Sequence, residues 1–235
     1  MKLYDECIEG IEALLKDAGC CQPLHAEVTD WPDEGKNQLI FQSDAAYELG
    51  GGNRAAVSGI AFTDKTELVP EDEIILCGAD LGEIKEDTAF ARIALVRLKD
   101  DKSGDTDVLY QAIRKIEYTR YHLNPKGYMM RISAMNQREV VRVGKGALAG
   151  GLDFAKVGSM FLQAYHKHPE VAAVKLIFVT EKDFPYAELS KLAVKSENIT
   201  KTLDHLTKKV KMDCNACSLK EVCAEVEALC NEEKE

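Results

Sequence analysis

The sequence lacks any long apolar run, and this absence argues against a membrane-spanning helix. No hydrophobic stretch among its 235 residues approaches the roughly 20 residues that a helix needs to cross a bilayer. Basic residues are also in the minority, because 30 Lys and Arg face 40 Asp and Glu, which gives a formal net charge of −10. That balance argues against a nucleic-acid-binding surface extending over the whole protein.

No sorting signal, internal repeat or familiar nucleophile set is recognised in the printed sequence. Residues 1–19 intersperse acidic residues among apolar ones, so they are not expected to act as a signal peptide, and the cytoplasm is the expected location. In that compartment clustered cysteines more often bind metal than form disulfides. No Ser–His–Asp or Cys–His set can be recognised, so no catalytic residue is assigned and enzymatic activity is left open.

Hydrophobic periodicity predicts an α+β fold, with a mixed sheet and packed helices. Helices are predicted over 2–19, 107–122, 153–167, 184–195 and 199–211. Strands are predicted over 24–28, 37–42, 54–62, 73–77, 88–98, 127–135, 138–143 and 171–180. We expect an α+β domain over residues 1–211, followed by a cysteine-rich tail over residues 212–235.

The tail holds four of the eight cysteines in the pattern C-x2-C-x5-C-x6-C, namely Cys214, Cys217, Cys223 and Cys230. The first two form a chelating unit on one tight turn. The last two lie seven residues apart, which is about 10 Å along a helix. Zinc–sulfur bonds of about 2.3 Å require sulfurs that lie close together, so the wide pair favours a [4Fe–4S] cluster over a zinc ion. Zinc and no metal are the alternatives.

The four remaining cysteines are expected to have different roles. Cys7 lies on the apolar stripe of the first predicted helix and Cys77 ends a strand, so both are expected in the core. Cys20 and Cys21 are adjacent in sequence and follow a helix stop, which makes them candidates for redox chemistry or metal binding, although reactivity depends on exposure and pKa.

Two further segments suggest anion binding. Arg131, Arg138 and Arg142 fall on neighbouring predicted strands and could form a basic strip for a phosphorylated ligand, with a solvated or salt-bridged face as the alternative. The run GGGNR at 50–54 could present backbone N–H groups to a phosphate. It matches no nucleotide-binding motif, and a strained turn that enters a strand is the favoured interpretation.

Three stretches carry a resemblance to a known family. They are YELGGGNRAAVSGIAF, VPEDEIILCGADLGEIKEDTAFARIALV and KGALAGGLDFAKVGSMFLQAYHKHPEVAAVKLIFVTEKD, and the four-cysteine motif follows them. In this order they resemble acetyl-CoA synthase, the beta subunit of the CO dehydrogenase/acetyl-CoA synthase complex. The resemblance covers roughly residues 45–230, and residues 45–183 are most similar to the middle domain of that enzyme.

The resemblance implies that Cys214, Cys217, Cys223 and Cys230 ligate a [4Fe–4S] cluster, and that Arg138 and Arg142 could contact coenzyme A or another anion. The family's nickel-binding Cys-Gly-Cys is absent, so nickel is not expected. We therefore expect an accessory or divergent component that transfers electrons or assists assembly. Its expected partners are subunits of that complex, a ferredoxin or a corrinoid protein, rather than nucleic acid or a membrane. The alternatives are a metal-dependent acetyl or carbonyl transferase and a zinc-binding or redox-sensing module.

Overall fold

The computed structural model describes residues 2–99, 106–133, 135–208, 219, 220, 222, 223 and 225. Within these residues helices pack against a mixed sheet, so the predicted α+β class is confirmed. None of the helices in the described ranges is long and apolar enough to cross a membrane.

The larger sheet contains five strands in the order β1-β4-β8-β5-β3. Their bounds are Cys21–Leu24 (β1), Ala56–Thr63 (β3), Glu73–Cys77 (β4), Phe90–Leu98 (β5) and Val171–Val179 (β8). β4 runs parallel to β8 and β3 runs parallel to β5, whereas the β5–β8 and β1–β4 pairs are antiparallel. The inner strands are almost continuously apolar because side chains on both faces are covered.

The smaller sheet is antiparallel and has the order β2-β7-β6. Its strands are Ala45–Leu49 (β2), Tyr128–Ser133 (β6) and Arg138–Gly144 (β7). Along β7, Glu139, Val141 and Val143 are buried while the residues between them are half-buried, as the two-residue period of a strand requires. The buried face of β7 packs against β3 and β5 of the larger sheet.

The described residues form five helices. They are Lys2–Ala18 (α1), Thr106–His122 (α2), Lys145–Ala149 (α3), Phe154–Tyr165 (α4) and Tyr186–Lys208 (α5). α1 and α5 pack against β3, and α4 packs against β4 and β8. Gly59 in β3 allows the close approach of α5, because a Cβ there would lie 3.0 Å from the Ala193 Cβ. α4 begins at Asp153, whose side chain accepts a hydrogen bond from the Lys156 N–H at 2.7 Å.

Several predicted boundaries were wrong. The two helices predicted over 184–195 and 199–211 form one helix, α5, which continues to Lys208. The strand predicted over 24–28 instead lies at Cys21–Leu24, and the segment 37–42 is not a strand. Side chains rather than a ladder satisfy the backbone at Ile40: its carbonyl accepts a hydrogen bond from Arg142 at 2.7 Å, and its N–H donates to the Met129 sulfur at 3.3 Å.

Candidate functional site

Of the four tail cysteines, the described residues include one, Cys223. Cys214, Cys217 and Cys230 lie outside the described residues, and Cys223 is half-buried. The Cys223 N–H donates to the Leu219 carbonyl at 2.8 Å, which makes one helical turn. Leu219 is buried and Val222 packs against the main core, so this turn is docked on the body of the protein.

The docked turn lies near α5 and the first turns of α1. Lys195 of α5 donates to the Glu6 carboxylate of α1 at 2.9 Å. The pKa of Lys195 is raised, first by that hydrogen bond and then by smaller contributions that include the charges of Cys7 and Glu225. Glu225 follows Cys223 by two residues, so the described part of the tail faces this corner of the molecule.

The three arginines of the predicted basic strip do lie on adjacent strands. Arg138 and Arg142 are on β7, and Arg131 is on β6 directly opposite Val140. One face of the small sheet points away from Glu139 and the core, and it carries Arg131, Val140 and Arg142. The sequence therefore predicted their common location correctly.

A carboxylate already neutralises part of this strip. Glu48 of β2 pairs with Arg142 at 2.5 Å and with Arg131 at 3.2 Å. Arg138 is half-buried and donates to the Arg54 carbonyl at 3.5 Å. The guanidinium groups of Arg131 and Arg142 thus share one Glu48 carboxylate, while Arg138 contacts a backbone carbonyl, so the strip retains positive charge that an anionic ligand could use.

Trp31, the only tryptophan of the sequence, lies beside the same small sheet. It lines a cavity of about 560 Å³ together with Ile40, Lys126 and Gly144, among other residues. The Trp31 indole N–H donates to the Lys126 carbonyl at 3.0 Å, which fixes the ring. Ile40 connects this cavity to the arginine strip, because its carbonyl accepts a hydrogen bond from Arg142. Sequence reasoning missed this location because Trp31 is far from the arginines along the chain.

The glycine run at 50–54 is a tight turn, as the favoured interpretation predicted. Gly50 has a φ of +68°, and a Cβ at this position would lie 2.7 Å from the Ala56 Cβ and 2.9 Å from the Glu139 carbonyl oxygen. Arg54 lies 3.6 Å from the Asp87 carboxylate. Gly50 is thus required by its positive φ and by the close approach of this turn to β3 and β7.

The most deeply buried charges join the two sheets. Glu139 of β7 accepts hydrogen bonds from Arg92 of β5 at 2.5–3.1 Å and from the Ser58 hydroxyl of β3 at 3.1 Å. Arg92 is 1% exposed and Glu139 is 0% exposed. The Arg92 guanidinium also lies 4.1 Å from the centre of the Phe161 ring. Burial alone would lower the pKa of Arg92, and the Glu139 carboxylate raises it above its ordinary value.

A second buried ionic group lies between α2 and α5. Arg120 donates to Glu117 at 2.9 Å and lies 3.7 Å from Glu197. Burial, followed by the charge of Glu117, raises the pKa of Glu197 to about 7. Neither buried group was predicted, because the strand and helix patterns that contain Arg92, Glu117 and Glu139 gave no reason to place charges inside.

Three other cysteines converge at one edge of the larger sheet. Cys21 of β1 and Cys77 of β4 are cross-strand partners, and a disulfide joins them. The sulfur of Cys20, which is exposed, lies within 4.8 Å of both. Cys77 is fully buried, as expected, and Cys7 is buried in the core as well. The bond to Cys21 was not expected, because 56 residues separate the two cysteines.

Comparisons with known proteins gave no match, either to a protein-family model or to a curated protein.

Proposed function

We propose that the protein is an iron–sulfur protein related to acetyl-CoA synthase, acting as an accessory or divergent component of CO and acetyl-CoA metabolism in the cytoplasm. Its tail would hold a [4Fe–4S] cluster through Cys214, Cys217, Cys223 and Cys230. Its role would be electron transfer or complex assembly. Its partners would be subunits of the CO dehydrogenase/acetyl-CoA synthase complex, a ferredoxin or a corrinoid protein.

The observation that carries this proposal is the docked position of Cys223. Leu219 and Val222 anchor the turn that contains Cys223 to the apolar core, while Cys223 itself is half-buried. A cluster attached at this point would be held against a rigid body and would still be reachable by a partner. Both properties suit electron transfer, in which the cofactor needs a fixed position and access for a partner.

The chemistry of the donor set also fits a cluster. Four thiolates within a short segment are the ligand set of [4Fe–4S] centres, and two cysteines seven residues apart on a helix would lie further apart than one zinc ion tolerates. The cluster would supply one-electron chemistry. The chain itself would position the cluster and limit its exposure to water.

The small sheet offers a place for an anionic ligand such as coenzyme A. Arg138 and Arg142 would contact phosphate groups, and the cavity beside Trp31 is large enough for an aromatic base. Glu48 is the competing anion for Arg142, so a ligand phosphate would have to replace this contact. The absence of Cys-Gly-Cys leaves no known set of nickel ligands, which favours an accessory role over acetyl transfer.

Metal analysis of protein purified without oxygen tests the proposal. We expect about four irons and four acid-labile sulfides per chain, together with a broad sulfur-to-iron absorption band in the visible region. One zinc per chain and a colourless protein would instead select a zinc-binding module. Stoichiometric nickel beside iron would favour the acetyl or carbonyl transferase.

A further inference from the structure

We propose that Cys20, Cys21 and Cys77 form a second metal site, which binds one zinc ion when the Cys21–Cys77 disulfide is reduced. This site is separate from the tail cysteines, and the proposal does not depend on them. Oxidation would close the site as a disulfide, and reduction would open it for the metal.

The fold brings the three sulfurs together from two distant parts of the sequence. Cys21 and Cys77 face each other in the antiparallel β1–β4 pair. Gly19, with a φ of +63°, reverses the chain after α1 and places Cys20 immediately before β1. All three sulfurs lie within 4.8 Å of one another. Such a cluster of thiols suits soft or borderline metal ions, among them zinc.

Cys77, the buried member of the three cysteines, is held in a fixed position. The Cys77 carbonyl accepts hydrogen bonds from the N–H groups of Thr180 and Glu181 at 2.9 and 3.1 Å. The next residue, Gly78, has a φ of +109°, and a Cβ there would lie 2.5 Å from the Glu181 nitrogen. Cys77 therefore ends β4 at a fixed point, beside the end of the parallel strand β8. Carboxyl ends of parallel strands are common locations for binding sites.

Reduction would convert the disulfide into metal ligands without moving the backbone. Two electrons and two protons from a dithiol cleave the Cys21–Cys77 bond and leave two thiols, while the dithiol closes its own disulfide. One Zn²⁺ then displaces three protons from the three thiols. Sulfurs around a tetrahedral zinc lie about 3.8 Å apart, given zinc–sulfur bonds of about 2.3 Å. Paired strands place facing Cβ atoms about 5 Å apart, so side-chain rotation is enough.

The surroundings of the three cysteines leave room for a fourth ligand. A cavity of about 280 Å³ adjoins Cys21 and is lined by Lys16, Lys175 and Gly19, among other residues. Lys175 pairs with Glu12 at 2.9 Å and with Glu73 at 3.1 Å. Water would complete a zinc site from the exposed side of Cys20. Because Glu12 and Glu73 already neutralise Lys175, Lys16 is the lysine of this cavity that would offset part of the negative charge of three thiolates around a divalent ion.

Cys223 lies near one end of α1, and Cys20, Cys21 and Cys77 lie near the other end. The described part of the tail faces Lys195 and Glu6, near the start of the helix, whereas Cys20 follows its end. The 17 residues of α1 span about 25 Å. Cys223 therefore lies too far from Cys20, Cys21 and Cys77 to share one metal ion with them on the same chain.

Cobalt binding tests this proposal in the full chain with all four tail cysteines replaced by serine. The protein is reduced with a dithiol, freed of the reductant without oxygen, and titrated with Co²⁺, which reports thiolate ligation by its absorption. We expect about one Co²⁺ per chain in the reduced protein, displacement of the cobalt by Zn²⁺, and loss of binding after oxidation. Thiol counting before and after reduction should show a gain of two thiols.

Matched variants locate the site. Cys20→Ser changes an exposed residue, so it should preserve the fold while it abolishes the thiolate-to-cobalt absorption. Cys7→Ser, at a buried cysteine outside the set, should leave the absorption unchanged in protein that remains folded by circular dichroism. Equal cobalt absorption in the Cys20→Ser and parent proteins would overturn the proposal, as would two recovered thiols without any metal binding. The iron content of the wild-type tail is a separate readout, so either proposal can fail alone.

Discussion

Removing one partner of the buried Arg92–Glu139 pair should lower the free energy of unfolding far more than replacing both partners with apolar residues. Glu139→Gln keeps the shape of the side chain but leaves the Arg92 guanidinium, which is 1% exposed, without its counter-ion. Breaking a buried pair in this way costs about 3–5 kcal/mol of unfolding free energy. Ser58→Ala removes a neutral donor to the same carboxylate but leaves the counter-ion in place, so it should cost less, about 1.5–3 kcal/mol.

The two single variants should differ in their pH dependence. In Arg92→Met the lone Glu139 can take up a proton, because burial without a counter-ion raises its folded-state pKa above the unfolded value of about 4.3. The folded state then binds more protons than the unfolded chain, so the stability of this variant rises as the pH falls. Arginine cannot lose its proton, so Glu139→Gln should show no such recovery.

Urea unfolding followed by far-UV circular dichroism at pH 5 and pH 8 measures both effects. The double variant Arg92→Met/Glu139→Leu should recover most of the loss, since apolar replacement of a buried pair is often neutral. Lys182→Ala, at an exposed pair with Glu86, is the control and should leave the midpoint unchanged. The reasoning would be refuted by a double variant whose loss of stability equals the sum of the two single losses. It would also be refuted if the stability of Arg92→Met did not change with pH.

Three other predictions follow from single contacts. Gly50→Ala should destabilise the protein by more than about 1 kcal/mol because its φ is positive and its Cβ would collide, whereas Gly146→Ala, in an open helical position, should be neutral or stabilising in the same urea assay. The pKa of Glu197, about 7 against an ordinary 4.5, means that the folded state retains a proton, so stability should fall as the pH rises from 5 to 8, and less steeply in Glu197→Gln. In calorimetric titrations with coenzyme A, Trp31→Leu and Arg138→Ala should each weaken binding, and an affinity equal to wild type in both would rule out this site.

The predictable parts of the fold are those in which local pattern and tertiary contacts agree. The strand predicted over 73–77 has those bounds in the structure, because its apolar run is short and covered on both faces. The helix predicted over 2–19 ends one residue early, at Ala18, where Gly19 reverses the chain. The prediction for segment 37–42 was wrong because its apolar and amide residues resemble a strand, although side chains of β6 and β7, those of Met129 and Arg142, bind its backbone at Ile40.

The candidate sites also include parts that the sequence predicted and parts that it did not. The common location of Arg131, Arg138 and Arg142 followed from strand periodicity alone. The burial of Glu139 did not follow from the sequence. A charged residue between Arg138 and Arg142 resembles part of an exposed face until its partner, Arg92, is known. The disulfide between Cys21 and Cys77 depends on the pairing of two strands far apart in sequence, and no local pattern encodes that pairing.

The iron content of the Cys217→Ser variant tests the central claim most directly. Wild type, Cys217→Ser and Cys7→Ser are reconstituted with iron and sulfide without oxygen, desalted and analysed. Wild type and Cys7→Ser should each hold about four irons per chain, and Cys217→Ser should lose the cluster because one of its four thiolate ligands is gone. Equal iron in all three proteins, or none in wild type, would contradict a cluster held by the tail.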